Sequence, residues 1–208
     1  MKLILFNGSP RRGATHKVLS DLQEKLAAPD VDIELMSLAG KKVAPCVGCD
    51  YCKRNKTDCR VHDDMEELFP RFVSADAFVI ASPVYVMGPT PQISAFFSRL
   101  RPVHHVYPGI LRNKAAGSMA VGGTRNGGQE MTVNILNNYL LTRGLIVVGG
   151  EIGGYHGGKI WSQDSPDKAG QDSLGLETAY GLGRRVIEIA RMHEKAKFQP
   201  ENNRIEEV

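Results

Sequence analysis

The sequence predicts a doubly wound α/β fold built on a five-stranded parallel sheet. Short apolar runs alternate with amphipathic segments along most of the 208-residue chain. This alternation is typical of parallel strands that are joined by right-handed helical crossovers. Loops of unusual composition follow four of the strands, where such sheets bind their ligands. With five strands we expect the order 2-1-3-4-5, which is the flavodoxin-like arrangement.

The first half of the chain supplies three of the strands and two helices. Residues 3–6 form a continuous apolar strand, and residues 31–35 alternate apolar and acidic side chains, as a strand with one polar face does. Residues 77–81, AFVIA, have the composition of a buried strand. Helices are predicted over 16–27, where apolar residues recur at helical spacing, and from Asp63 or Asp64 to 72.

The second half continues the alternation and ends in a polar segment. The predicted strands are 115–121 and 145–148, and the predicted helices are 91–101, 130–141 and 174–193. A glycine-rich polar stretch, 149–170, is expected to be a loop. We therefore expect one domain over residues 1–195, followed by a polar tail at 196–208.

Composition excludes several classes of protein. The formal charge is only +3, and no run of lysine and arginine stands out, which argues against a nucleic-acid partner. No apolar run approaches the length of a membrane span. The apolar run in the N-terminal MKLILFNGSP is too short for a secretory signal, and it fits a first strand. We expect a cytoplasmic protein whose thiols stay reduced.

The loop after the first strand, NGSPRRGATH, has the features of a phosphate site. It ends where a helix begins, and helix N-termini offer free N–H groups and a positive dipole end to anions. Ser9 and Thr15 add hydroxyls, and Arg11 and Arg12 add guanidinium groups that bind phosphate in bidentate fashion. The loop matches neither of the two common nucleotide motifs, so a simple strand–helix turn remains the alternative. A second stretch, 153–159, begins like a P-loop, but Ile160 stands where a magnesium-binding hydroxyl is needed.

The loops after the third and fourth strands suit a flat ring. The first, SPVYVMGP, is apolar and aromatic, and the second, VGGTRNGGQE, has glycines that let a backbone approach closely and polar side chains beside them. Crossover loops that pack on the sheet, or flexible loops, are the alternatives. Together with the phosphate loop they predict an FMN site. Its expected contacts are Ser9, Arg11, Arg12, Thr15, Pro83, Val84, Tyr85, Val86, Gly88, Gly122, Gly123, Asn126, Gly127, Gly128 and Gln129.

Every cysteine of the chain lies in the loop after the second strand, CVGCDYCKRNKTDC. The spacing C-x2-C-x2-C is used for cubane iron–sulfur clusters, and a fourth cysteine would complete one [4Fe–4S] site. Disulfides are disfavoured in a cytoplasmic chain, whereas structural zinc and dithiol redox chemistry remain open alternatives. The predicted metal ligands are Cys46, Cys49, Cys52 and Cys59. In the expected topology this loop lies at the same sheet edge as the phosphate loop.

Three motifs resemble those of the NADPH-dependent FMN reductase superfamily, and they occur in the same order. GSPRRGAT resembles its phosphate loop, SPVY followed by Phe96-Phe97-Ser98-Arg99 resembles its second signature, and GGTRNGGQE resembles its third. Ala14 departs from the usual asparagine, which removes one polar group near the phosphate. Combined with the four-cysteine loop, the pattern resembles the iron–sulfur flavoproteins. The resemblance implies FMN, one [4Fe–4S] cluster on the four cysteines, and a homo-oligomer, dimer or tetramer, in which a cluster lies near a neighbour's FMN.

The expected function is electron transfer. A cluster moves single electrons and FMN takes one or two, so the pair would connect a ferredoxin-like donor, or NAD(P)H, to a small-molecule oxidant. The resemblance implies dioxygen, peroxide or a quinone as that oxidant. No catalytic acid or base is expected, since the flavin carries the chemistry. The alternatives are an NAD(P)H-dependent FMN or quinone reductase with a zinc-binding cysteine loop, and a cluster-based redox sensor that acts through a protein partner.

Overall fold

The structure is a computed structural model that describes residues 1–151 and 153–196. Its parallel sheet has the order β2-β1-β3-β4-β5, which confirms the predicted topology, and a sixth strand also pairs with β4. The strands are β1 (Lys2–Asn7), β2 (Asp32–Ser37), β3 (Ala77–Pro83), β4 (Ala115–Gly122), β5 (Ile146–Val147) and β6 (Gly158–Trp161). Of the predicted tail, residues 197–208 lie outside the described residues.

Helices connect the strands and cover both faces of the sheet. They are α1 (Ala14–Lys25), α2 (Tyr51–Asn55), α3 (Met65–Val73), α4 (Pro91–Arg99), α5 (Pro102–His105), α6 (Gln129–Leu141), α7 (Pro166–Ala169) and α8 (Ser173–Lys195). Five of them match predicted helices, whereas the one-turn helices α2, α5 and α7 were not predicted. The predicted helix 91–101 ends earlier than expected, at Arg99, and the separate helix α5 begins at Pro102.

The helices pack on the two faces of the sheet through two separate apolar cores. On one face Leu3 and Leu5 of β1 pack with buried residues of α1 and α8. On the other face Phe6 of β1 packs with residues of α3, α4 and α6. Phe6 lies with its ring centroid 4.5 Å from that of Phe96 and 5.8 Å from that of Phe72. Because β1 is buried on both faces, the loop that follows it starts from a rigid position.

Two short strands share the fifth position of the sheet. β5 pairs only with Ala115 and Ala116, at the start of β4, and β6 pairs with the residues from Met119 to Gly122, at its end. The sequence interpretation was therefore wrong in treating 149–170 as loop throughout, since β6 and α7 fall inside it. Glycine explains the close approach of β6, because a Cβ at Gly157 would lie 2.4 Å from the Ser118 carbonyl oxygen.

No helix within residues 1–151 and 153–196 is both long enough and apolar enough to span a membrane.

Candidate functional site

The predicted phosphate loop is fixed to the ends of two neighbouring strands. Gly8 N donates to the Ala81 carbonyl oxygen at 2.8 Å, and Ser9 N donates to Oδ1 of Asn7 at 3.0 Å. Ser9 and Thr15 are buried, whereas Arg11 and Arg12 are exposed. α1 begins at Ala14 behind Gly13, whose lack of a side chain leaves the first-turn N–H groups without a side-chain cap. The loop therefore presents backbone donors, buried hydroxyls and exposed cations together, as a phosphate requires.

The N-terminus of α4 holds this loop in place. Thr90 Oγ1 donates to the Gly8 carbonyl oxygen at 2.6 Å and accepts from Ile93 N at 3.3 Å, so one side chain caps α4 and secures the loop. A Cβ at Gly8 would lie 2.6 Å from Cδ1 of Ile93, which explains why glycine follows β1 directly. The loop is thus preformed against the packed sheet.

The predicted apolar wall after β3 is a tight turn that stands out into solvent. Tyr85 and Gly88 exchange backbone hydrogen bonds of 2.8 and 3.0 Å. Val86 and Met87 between them have φ angles of 48° and 64°, and a β-branched residue rarely adopts positive φ. Val86 is fully exposed, and Tyr85 and Met87 are also exposed. Val86 and Met87 therefore form a strained apolar tip at this sheet edge, and strained backbone is common at functional sites.

The glycines of the loop after β4 allow the loop to pack on itself and on the Tyr85–Gly88 turn. A Cβ at Gly122 would lie 2.3 Å from Nε2 of Gln129, and one at Gly128, where φ is 105°, would lie 2.8 Å from Sδ of Met87. Gln129 is buried, and its amide accepts from Gly127 N at 2.9 Å and donates to the Thr124 carbonyl oxygen at 2.5 Å. Gln129 therefore shapes the loop with its own amide. The predicted contacts Gly123 and Asn126 lie in the same loop.

Trp161 of β6 belongs to this region and was missed by sequence reasoning. Its Nε1 donates to the Gly123 carbonyl oxygen at 3.1 Å, and the Arg125 guanidinium lies 4.4 Å from its ring centroid. A lone tryptophan in a stretch interpreted as loop gave no periodic signal. Its contacts depend on the pairing of β6 with β4, which is a long-range feature.

The four cysteines line one small pocket. Cys52, on α2, is 7% exposed, and the other three are half-buried. The loop bends through left-handed residues at both ends of α2, Asp50 and Lys56. Gly48 N points at Sγ of Cys46 at 3.4 Å, and N–H groups directed at sulfur tune iron–sulfur sites. Among the described residues, no three or more cysteine, histidine or acidic side chains are grouped as ligands of one metal ion.

A buried ion pair closes the base of the cysteine loop. Arg99, which is 2% exposed, donates to the carbonyl oxygens of Ala44 and Val61 at 3.0 Å each, one before and one after the cysteines. Its guanidinium also donates to both carboxylate oxygens of Asp63, at 2.7 and 3.2 Å. Burial raises the pKa of Asp63, but hydrogen bonds from Arg99, Ala44 and Met65 outweigh it and hold that pKa below its usual value. The motif position Arg99 was noted in the sequence, yet its contact with the cysteine loop was not predicted.

The two candidate sites lie at opposite ends of α4. Thr90, at the N-terminus, binds the phosphate loop, whereas Ser98, in the last turn, accepts from Cys46 N at 3.0 Å. Eight residues of helix separate these two contacts by about 12 Å at 1.5 Å per residue. Both loops follow parallel neighbouring strands and start at the same sheet edge, as predicted, but the cysteine segment extends from there to the last turn of α4. Arg99, Ser98 and Arg101 hold it at that end of the helix.

The family model for NADPH-dependent FMN reductase matches residues 1–156, which contain both candidate sites. An iron–sulfur flavoprotein of Methanocaldococcus jannaschii is 36% identical over 196 residues, which are 94% of this chain and the whole of that protein. The chain belongs to the NADPH-dependent FMN reductase family and, within it, to the family of the iron–sulfur flavoproteins. It is therefore an FMN-dependent oxidoreductase, or electron-transfer flavoprotein, by family.

Other comparisons agree with this family and with the fold. An iron–sulfur flavoprotein of Archaeoglobus fulgidus is 36% identical over 194 residues, which cover 93% of this chain and 97% of that protein. The flavodoxin-like WrbA-like protein of Agrobacterium tumefaciens superposes with a TM-score of 0.61 at 19% identity, over 92% of this chain and 98% of that one. RosB, solved with a bound riboflavin phosphate derivative, superposes with a TM-score of 0.71 at 16% identity, over 95% and 82% of the two chains. These two structures support the flavodoxin-like fold of this chain.

Proposed function

We propose that this iron–sulfur flavoprotein passes electrons between a one-electron donor and a small-molecule oxidant, through a [4Fe–4S] cluster and FMN. The observation that carries the proposal is the convergence of Cys46, Cys49, Cys52 and Cys59 on one pocket in a chain of the FMN reductase family. Four thiolates are the usual ligand set of such a cluster.

The spacing of the cysteines favours a cluster over a zinc ion. Structural zinc sites usually combine two pairs of ligands across a longer insert. Here three cysteines follow one another as C-x2-C-x2-C, the spacing used for cubane clusters, and all four cysteines line one pocket. The Gly48 N–H directed at Cys46 Sγ supports the same assignment.

The FMN would be held by the predicted contacts around the phosphate loop. The first-turn N–H groups of α1, the hydroxyls of Ser9 and Thr15, and the Arg11 guanidinium would bind the phosphate. The loops 83–88 and 122–129, which contain Tyr85 and Gly123, would flank the ring. Together with the phosphate loop, 8–15, we call them the flavin loops. The flavin, when bound, supplies the one- and two-electron chemistry. The chain's own residues would position it.

A homo-oligomer would bring the two centres together. Within one chain the sites contact opposite ends of α4, about 12 Å apart along the helix. The apolar tip at Val86 and Met87 and the exposed Val47 of the cysteine loop lie at the two sites, and each is suited to burial by a partner. We propose that the cysteine loop of one subunit faces the flavin loops of another. Light scattering of Val86→Asp and Val47→Asp should then show dissociation in both variants, whereas Met192→Asp, an exposed residue of α8, should leave the oligomer intact.

The donor would dock near the cysteine loop. Lys53, Arg54 and Lys56 are exposed there and give the surface a positive character. An acidic electron carrier such as a ferredoxin-like protein fits that surface, since complementary charge accelerates association. The family description also names NADPH, so NAD(P)H is the second candidate donor.

Spectroscopy of anaerobically purified protein tests the proposal. We expect about four irons and four acid-labile sulfides per chain, flavin absorption, and an EPR signal that appears on reduction with dithionite. Zinc in place of iron and sulfide would overturn the cluster assignment. Rapid oxidation of NADPH by the pure protein, without a ferredoxin-like carrier, would favour the NAD(P)H-dependent reductase instead.

A further inference from the structure

A large apolar cavity lies beside the cysteine pocket. Its volume is about 430 Å³, which falls within the range of small-molecule sites. Its apolar wall comes from α3, α5 and the segment after α5, through Met65, Phe69, Val73, Pro102 and Ile110. The flavin loops do not contribute to this cavity.

The cavity and the cysteine pocket share a wall. Cys59, Val61, Arg99 and Pro102 line both. A molecule in the cavity would therefore contact the residue that we propose as the fourth cluster ligand. This adjacency points to a ligand that exchanges electrons with the cluster.

The chemistry of the lining selects a flat, uncharged ring. Phe69 and Tyr107 lie with their ring centroids 5.8 Å apart and offer aromatic surface. The Arg99 guanidinium is engaged by Asp63 and two carbonyl oxygens, and Asp58 and Glu66 add negative charge, so an anionic ligand such as a nucleotide is disfavoured. The wall thus suits an apolar aromatic molecule.

Polar groups lie at the edge of this apolar wall. Arg99 is one of them, and its guanidinium is held by Asp63 and two carbonyl oxygens. At the rim, Tyr107 Oη donates to Asp58 Oδ2 at 3.2 Å, so a hydroxyl and a carboxylate are also present for proton exchange with solvent.

We propose that this cavity binds a quinone-class molecule, which is reduced through the cluster at Cys59 and not over the flavin. Each quinone would take two electrons, delivered one at a time by two molecules of the one-electron donor, and two protons from solvent, and it would leave as the hydroquinone. Each donor molecule would be oxidised by one electron. This proposal rests on the proposed function, because it requires the cluster.

A probe that cannot alkylate thiols tests the site in the full-length holoprotein. Duroquinone meets this need, since every ring carbon that a thiol would attack is methylated. We expect saturable binding of one duroquinone per chain by calorimetry. Durohydroquinone should also change the EPR line shape of the dithionite-reduced cluster.

Ser74 offers a matched pair of variants at the cavity. It lies on the cavity wall, is exposed, and its hydroxyl donates to the Arg71 carbonyl oxygen at 2.9 Å. Ser74→Trp should fill the cavity and weaken duroquinone binding at least tenfold. Ser74→Ala removes the same hydroxyl without filling the space and should bind as the wild type does.

Several results would overturn the quinone site. They are absence of saturable binding, equal binding by Ser74→Trp, and dissociation of an oligomer by Ser74→Trp, which would make this face a contact between subunits. Iron and sulfide are measured on each preparation. Protein without iron counts against the proposed function, whereas full iron without binding counts against the cavity alone. Binding and its dependence on Ser74 are informative in either case.

Discussion

The flavin loops and the cysteine loop are held by different physical means. The flavin loops continue directly from buried strands and are fixed by backbone hydrogen bonds, close glycine contacts and one threonine. The cysteine loop has little buried apolar surface and depends on one buried ion pair and the last turn of α4. The first site is therefore shaped by the fold itself. The second is shaped by side chains and, in our proposal, by its metal cluster, since metal binding and local folding are coupled.

Replacement of Arg99 should have the largest effect, and it should damage the cysteine loop while sparing the flavin loops. Arg99→Ala leaves Asp63 buried without its partner, which typically costs about 3–5 kcal/mol of folding free energy. We expect loss of most of the iron and a large drop in denaturation midpoint, while the folded fraction still binds FMN. Iron analysis, flavin fluorescence and urea unfolding measure the three quantities.

Arg99→Lys provides a milder form of the same test. Lysine keeps the charge but lacks the planar fork that reaches both Asp63 and the two carbonyl oxygens. An intermediate iron content is expected. Arg99→Ala protein with a full complement of iron would show that the ion pair does not hold the loop.

Gly128→Ala should damage the flavin loops and spare the cysteine loop. An alanine there would be strained at a φ of 105° and would press against Met87. Gly40→Ala is the control, because Gly40 also has positive φ, 76°, but a Cβ there would meet no described atom within 4 Å. Both variants should lose about 1–2 kcal/mol through backbone strain. Only Gly128→Ala should bind FMN at least tenfold more weakly in a fluorescence titration, with iron content unchanged in both.

Relief of the strained turn should have a smaller and opposite effect on stability. Asparagine tolerates the left-handed region better than valine, so Val86→Asn should raise the free energy of unfolding by about 1 kcal/mol. Val47→Asn is a suitable control, since Val47 is exposed without positive φ and should show no gain. Urea unfolding at low protein concentration would measure both. An unchanged or lower stability of Val86→Asn would mean that other contacts compensate for the turn.

The smallest effect is expected at Arg101. Its ion pair with Asp50 also touches the cysteine loop, but both side chains are over a third exposed. Exposed pairs contribute about 0–1 kcal/mol, so Arg101→Ala should keep its iron and nearly all of its stability. If Arg101→Ala lost as much iron and stability as Arg99→Ala, the cysteine loop would depend on its exposed ion pair as well as on the buried one.

Local patterns predicted the strands that carry the phosphate loop and the loop after β3. The apolar strands 3–6 and 77–81 and the motif residues after them are contiguous in sequence, so their position at one sheet edge follows from the topology. The placement of the cysteine loop did not follow in the same way. It depends on Arg99 reaching Ala44 and Val61 across more than thirty residues of sequence, and such a contact leaves no periodic signal.

The same distinction explains the strand that was missed. GKIW is short and contains glycine and lysine, so β-propensity alone does not identify it as a strand. It becomes β6 because β5 stops after two residues and leaves the end of β4 unpaired. Only the assembled sheet contains that information.

The divided fifth position also bears on how the protein stays dispersed. A long, continuous outer strand would offer its unpaired backbone groups to another chain. Here that edge is split into segments of two and four residues, which are too short to template a further strand. The opposite edge, β2, carries Glu34 in ion pairs with Lys2 and Arg71. Neither edge of the sheet is therefore suited to pair with a strand of another chain, which is the contact that leads to aggregates.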